Sequence, residues 1–167
     1  MKKAENAVTT LAPGAHVIFK SSSTHGSFLE LAANNFTAKV HKKGVAFVML
    51  YAPWSHYCDE IRSVLKKLAL KYKVNRQIMI GQINCINQAN ENLCQAQEML
   101  GIPTLNVYRD GELLLNNFTG HTLAEIEDCL LSHRNDQELA KWQKRIAERE
   151  RLAKLEGRKK KAAGIIS

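Results

Sequence analysis

From Val45 to Tyr51 the chain reads VAFVMLY, seven positions without a charge or an amide side chain. An apolar run of that length, rich in β-branched and aromatic residues, predicts a central strand covered on both faces. Four further β-rich stretches alternate with helical patterns, which predicts an α/β sheet rather than a bundle. His16–Lys20 (HVIFK) predicts the first strand, and the Ser-rich segment behind it caps a helix expected over Phe28–Val40. A helix from about Cys58 to Tyr72 draws its apolar surface from Ile61, Val64, Leu65, Leu68 and Leu70. Gln77–Asn84 predicts a third strand and Asn92–Leu100 a short helix. Thr104–Arg109 and Glu112–Phe118 flank Asp110-Gly111, a strong hairpin signal. Leu123–Ser132 predicts a last amphipathic helix.

After Ser132 the pattern changes. Residues 133–167 are helix-forming and charge-rich, with Leu139, Trp142 and Ile146 at spacings of three and four. Such a stripe packs back on the body or meets a partner helix; Arg149 in the seam argues against a coiled coil. Gly157 and the following RKKK read as the helix end and a frayed basic tail. The expected organisation is an N-terminal segment 1–13, a folded body 14–132 and a basic helical extension 133–167.

Charge follows the same division. The net charge is +8, yet residues 133–167 hold 11 Lys/Arg against 5 Asp/Glu, so the body is nearly neutral. The segment 134–161 is thus a candidate for a partner helix or an anionic surface. Specific nucleic-acid binding is not expected, because aromatics are not interleaved with the basic residues. No stretch approaches the ~18 apolar residues of a membrane span. The opening MKKAENAVTTLAPGAH lacks an apolar stretch after its charged start, so no secretory leader is expected in this chain. No cofactor motif is present, and His56 and Cys58 lie too close and too isolated for a metal site.

The candidate chemistry sits in YAPWSHYCDE, residues 51–60. Tyr-Ala-Pro-Trp before a cysteine-bearing helix, and Gly-Ile-Pro-Thr (residues 101–104) before a hairpin, resemble the thioredoxin fold of the protein disulfide isomerase family, over roughly residues 14–132. The resemblance implies a central mixed sheet flanked by helices, and a cis Ile102–Pro103 bond facing the active site. It also implies two thiols at i and i+3 on a helix N-terminus, the first attacking a substrate sulfur and the second resolving the mixed disulfide. Here Ser55 takes the attacking place and only Cys58 remains. A serine cannot form a disulfide, so dithiol exchange is not expected. Met49 stands where active relatives keep a buried acid, His121 where many keep an assisting arginine, and Ser63 where the helix usually carries proline. These independent departures favour a naturally degenerate site over an engineered Cys→Ser change in an active oxidoreductase. A monothiol role for Cys58 remains the other enzymatic reading, and it needs an exposed, acidic thiol. Ser55 and His56 are not expected to form a nucleophile–base pair, since adjacent side chains diverge and no carboxylate orients the imidazole.

The leading expectation is therefore a redox-impaired, protein-binding or scaffold domain. Its client face would comprise Trp54, His56, Tyr57, Ile102, Pro103 and Thr104 around the former active site. By the same resemblance Cys85 and Cys94 are expected to form a structural disulfide worth roughly 2–3 kcal/mol, the alternative being two reduced, partly buried thiols. Cys129 reads as an inert core thiol. Two glycosylation patterns, Asn35-Phe36-Thr37 and Asn117-Phe118-Thr119, point with that pair to the endoplasmic reticulum lumen or the extracellular space.

Overall fold

Val45–Tyr51 (β2) is buried at every residue, as its apolar run requires. In the computed structural model, which describes residues 28–41 and 44–165, it lies third of five strands in one sheet. The others are β1 (Leu29–Leu31), β3 (Ile78–Asn84), β4 (Thr104–Arg109) and β5 (Glu112–Leu115), in the order β1-β3-β2-β4-β5. β3 runs parallel to β1 and β2, while β4 is antiparallel to β2 and β5, so the sheet is mixed.

The period-two alternation of strand side chains divides β2 between two cores. Val45, Phe47, Met49 and Tyr51 face α2 (His56–Lys71) and α4 (Leu123–Ser132), meeting Cys58, Ile61, Leu65, Leu68, Ile126 and Leu130. Ala46, Val48 and Leu50 face α1 (Phe36–Val40) and α3 (Glu91–Ala96), meeting Phe36, Val40, Cys94 and Tyr108. Leu70, expected among the apolar contacts of α2, points outward and is exposed. The β4–β5 turn places Asp110 and Gly111 at φ +50° and +89°, the left-handed pair that a two-residue hairpin needs.

The strand expected at His16–Lys20 and the segment 1–13 lie outside the described residues. Several other expectations are corrected. The helix expected over Phe28–Val40 is instead strand β1, a turn and the five-residue α1. Two contacts explain the difference. A Cβ on Gly81 would come within 2.8 Å of the Leu29 carbonyl oxygen, so glycine is what lets β1 close on β3. The Asn35 side chain then accepts the Ala32 N–H at 2.9 Å, fixing a turn that competes with helix. The helix expected over Asn92–Leu100 stops at Ala96, and Glu98 takes a left-handed φ of 51°. β5 ends at Leu115 rather than Phe118, because the chain turns at Asn117 (φ +55°) and Phe118 drops onto the core, its ring edge-on to Phe47.

The last helix, α5, runs from Asp136 to Ala162, through Gly157 instead of ending there. Nothing lies near Gly157 to require a turn, and Lys159–Lys161 complement the negative helix end. Leu139, Trp142 and Ile146 are half-buried, and Trp142 packs on the α2/α4 core. Arg145 pairs with Asp128 at 2.8 Å and Arg109 with Asp136 at 2.6 Å, both across the α5 junction. Every described residue after Ile146 is exposed. Among the described residues no helix is long and apolar enough to cross a membrane.

Candidate functional site

Strand β2 ends at Tyr51, and Ala52-Pro53-Trp54 carries the chain to the start of α2. Ser55 is the N-cap, with extended backbone (φ −84°, ψ 114°) and a hydroxyl that accepts the Cys58 N–H at 3.3 Å. A helix leaves its first N–H groups without partners, and serine is among the residues best suited to satisfy one. The Ser55 hydroxyl therefore has a structural task. Cys58, one turn on, points inward with no measurable exposure, beside Met49, Tyr51 and Ile61. Met49 shares that buried cluster, so the surroundings of Cys58 are apolar on that side.

The helix start and the residue ahead of its cap point further side chains out. Trp54 is 73% exposed and Tyr57 49%. The exposed His56 places Nε2 3.6 Å from the Glu60 carboxylate, one turn along. Behind the turn a polar bridge fastens α2 to three strands. The Arg62 Nε donates to Gln82 Oε1 at 2.8 Å, and its guanidinium lies 4.7 Å above the Tyr51 ring. Gln82 Nε2 and the Tyr51 hydroxyl both donate to the Glu30 carboxylate, at 2.7 and 2.9 Å. Burial, reinforced by the Glu30 carboxylate, pushes the Tyr51 phenol up to about 12, so it stays a donor across the physiological range.

Opposite the helix start lies the loop Gly101–Thr104, with a cis Ile102–Pro103 peptide bond. Ile102 and Pro103 are half-buried. Thr104, expected on the client face, is fully buried and donates its hydroxyl to the Gly101 carbonyl at 2.7 Å. It shapes the loop rather than presenting itself. Tyr57 and Pro103 meet across a shallow groove of about 170 Å³ whose far wall is Asn117, Phe118 and Gly120. The structure thus brings Tyr57 and Pro103 into one cleft, while Trp54 and His56 stand on its helical shoulder. The 117–120 wall was not legible as part of the cleft; its sequence signals were the Asn117-Phe118-Thr119 pattern and the Gly120-His121 dipeptide. His121 is exposed, and its backbone N–H donates to the Glu125 carboxylate, which forms a capping box with Thr122. Those hydrogen bonds, first from the Thr122 backbone, hold the Glu125 carboxyl down to about 2.

Cys85 and Cys94 are joined by a disulfide, with their Cα atoms 5.9 Å apart. The bond ties the end of β3 to α3 across nine residues of chain. Cys129 is fully buried, and burial pushes its thiol up to about 12, consistent with an inert core group. The neighbouring His133 is 2% exposed; its Nδ1 donates to the Cys129 carbonyl at 2.6 Å, and its ring meets Trp142 edge-on at 5.0 Å. Burial holds this imidazole below its ordinary 6.5, against the carbonyl hydrogen bond, with the positive Arg109 adding to the depression. Among the described residues no group of three His, Cys, Asp or Glu could hold a metal ion.

A mixed sheet with β2 leading into a capped helix, and a proline loop facing that cap, defines a thioredoxin-type domain. The thioredoxin family model matches residues 27–132, and the chain belongs to that family. Among curated proteins it is similar to protein disulfide-isomerase A5 of Mus musculus, 32% identical over 88 residues, which span 53% of this chain and 17% of that protein. It is also similar to the thioredoxin domain-containing protein 5 homolog of Drosophila melanogaster, 29% identical over 99 residues, 58% of this chain and 24% of that one. The chain thus spans less than a quarter of the length of either relative. Among solved structures it is similar in fold to human ERp44 (TM-score 0.58, 17% identity, 65% of this chain and 33% of that one). A mutant thioredoxin from Halobacterium salinarum NRC-1 superposes with the same TM-score at 20% identity, over 69% of this chain and 97% of that one.

Proposed function

We propose that this chain is a redox-impaired thioredoxin domain of the disulfide-isomerase type that binds protein clients, or scaffolds a larger protein, in the secretory pathway. One observation carries the reading: the Ser55 hydroxyl caps α2 while Cys58 is wholly shielded beneath it. An oxygen at the attacking position cannot form the mixed disulfide, and a buried sulfur with apolar neighbours cannot take its place as an exposed thiolate. The same burial counts against a monothiol role for Cys58.

Binding does not need the lost nucleophile. It needs accessible apolar area beside a cleft, which exposed Trp54 supplies just ahead of the helix, Tyr57 on its first turn, and half-buried Ile102 and Pro103 on the loop. Burying one aromatic side chain against a client contributes roughly 2–3 kcal/mol, enough for weak, broad recognition of unfolded segments. The Cys85–Cys94 bond supports an oxidising compartment, the endoplasmic reticulum lumen or the extracellular space. The exposed, basic face of α5 beyond Ile146 is the part of 134–161 left open for an acidic partner or surface, since Trp142 packs on the body and Leu139 and Ile146 are half-buried.

The test is insulin reduction by the purified chain against a version lacking all four cysteines. Equal rates are expected; faster turnover by the unaltered chain overturns the proposal. In parallel, C58A should leave binding of an unfolded, alkylated protein within about twofold, whereas W54A should weaken it about tenfold.

A further inference from the structure

The two glycosylation patterns are not equivalent in the fold. Asn35 is occupied: its side chain accepts the Ala32 N–H at 2.9 Å and donates to the Glu30 carbonyl at 3.5 Å, holding the turn before α1. Asn117 is placed by its backbone alone. Its N–H donates to Asn106 Oδ1 at 3.1 Å, and the next N–H, of Phe118, donates to the Leu105 carbonyl at 2.8 Å. With φ at +55°, the chain turns there, the Phe118 ring goes into the core and Thr119 is left exposed. The Asn117 side-chain amide makes no hydrogen bond among the described residues, and neither of its polar atoms is a buried orphan. It is a free amide on the wall of the groove that faces Tyr57 and Pro103.

We infer that Asn117 is an N-glycosylation site whose glycan covers the Tyr57–Pro103 groove and closes the client face. The inference rests on the client-binding and secretory reading above. In the transfer, Asn117 Nδ2 bonds to the anomeric carbon of an oligosaccharide supplied as a lipid diphosphate. The anomeric C–O bond breaks, the lipid diphosphate leaves, and one amide proton passes to a base of the transferase; nothing is oxidised or reduced. The exposed Thr119 provides the hydroxyl residue that the acceptor pattern requires. A single sugar is comparable in size to a groove of about 170 Å³, so a branched glycan anchored on its wall leaves an extended client no approach. Glycan occupancy would then divide the protein into a binding and a non-binding population without any conformational change.

The experiment is secretion of the chain behind a cleavable leader from a glycosylating eukaryotic cell line, followed by peptide mapping by mass spectrometry. One glycan is expected on Asn117; it persists in N35Q and is lost in T119A, which trims one exposed lining side chain of the groove but keeps Asn117, Phe118, Tyr57 and Pro103. An unmodified Asn117, or a glycan on Asn35 alone, overturns the assignment. Binding of a fluorescein-labelled unstructured peptide with a central Trp-Leu-Phe run is then compared between glycosylated protein and secreted T119A. The glycosylated form should bind about tenfold more weakly or worse. Equal affinity, with Asn117 glycosylated, overturns the gating. A T119A protein that binds no peptide refutes the client-binding reading, and the gating with it, while a mapped Asn117 glycan upholds the acceptor assignment.

Discussion

Two cysteine-bearing regions of this molecule differ in what meets their sulfurs. At the β3–α3 connection two sulfurs face each other across nine residues and close a covalent loop. At the start of α2 one sulfur and one hydroxyl occupy spacing i, i+3, and the hydroxyl turns to the helix backbone. A serine hydroxyl is a good partner for an orphan N–H and no partner for a thiol. The first region therefore stabilises the fold by constraining the unfolded chain, the second by completing a helix. At the second region the capped helix start, the exposed Trp54 and Tyr57 and the facing loop are held in place by backbone hydrogen bonding and packing rather than by a covalent link.

The sharpest way to break the comparison is to make the regions alike. S55C supplies the missing sulfur, and its side chain should form a reducible disulfide with Cys58. Insulin reduction should then rise about a hundredfold or more over the unaltered chain. Failure to gain any activity would mean that Met49 and His121 had also disabled proton transfer. Removing the other pair by C85S/C94S should cost about 2–3 kcal/mol of stability, read as a fall of about 10 °C in Tm, with no change in peptide binding. S55A tests the cap itself. Loss of one N-cap hydrogen bond should lower stability by about 1 kcal/mol in denaturant titration, leaving redox assays unchanged.

The smallest expected effect concerns the third cysteine region, where Cys129 and His133 join α4 to α5. The folded imidazole titrates below 6.5, so the unfolded chain binds the proton first. The stability that neutral His133 provides is complete above 6.5 and is lost as pH falls through its lower folded value. Denaturant midpoints measured from about pH 7.5 down to about 5 should decline, and a His133→Gln variant should show a shallower decline.

What was legible in the sequence is what local pattern controls. The VAFVMLY run determines a doubly covered strand wherever it is placed, and Asp110-Gly111 dictates a tight turn through its own backbone preferences. Ser55 ahead of an amphipathic run determines a cap. Tertiary structure decided everything that depends on neighbours distant in the chain. Leu29–Leu31 is too short to announce a strand; it becomes one because Gly81, some fifty residues away, lets it approach β3. Thr104 looked like a contact residue and is buried because β4 lies inside the sheet. The groove exists only because Phe118 folds into the core and swings Asn117 opposite Tyr57. Propensity and periodicity act over a few residues, whereas burial and juxtaposition are properties of packed surfaces, and no local stretch of sequence contains both sides of a contact.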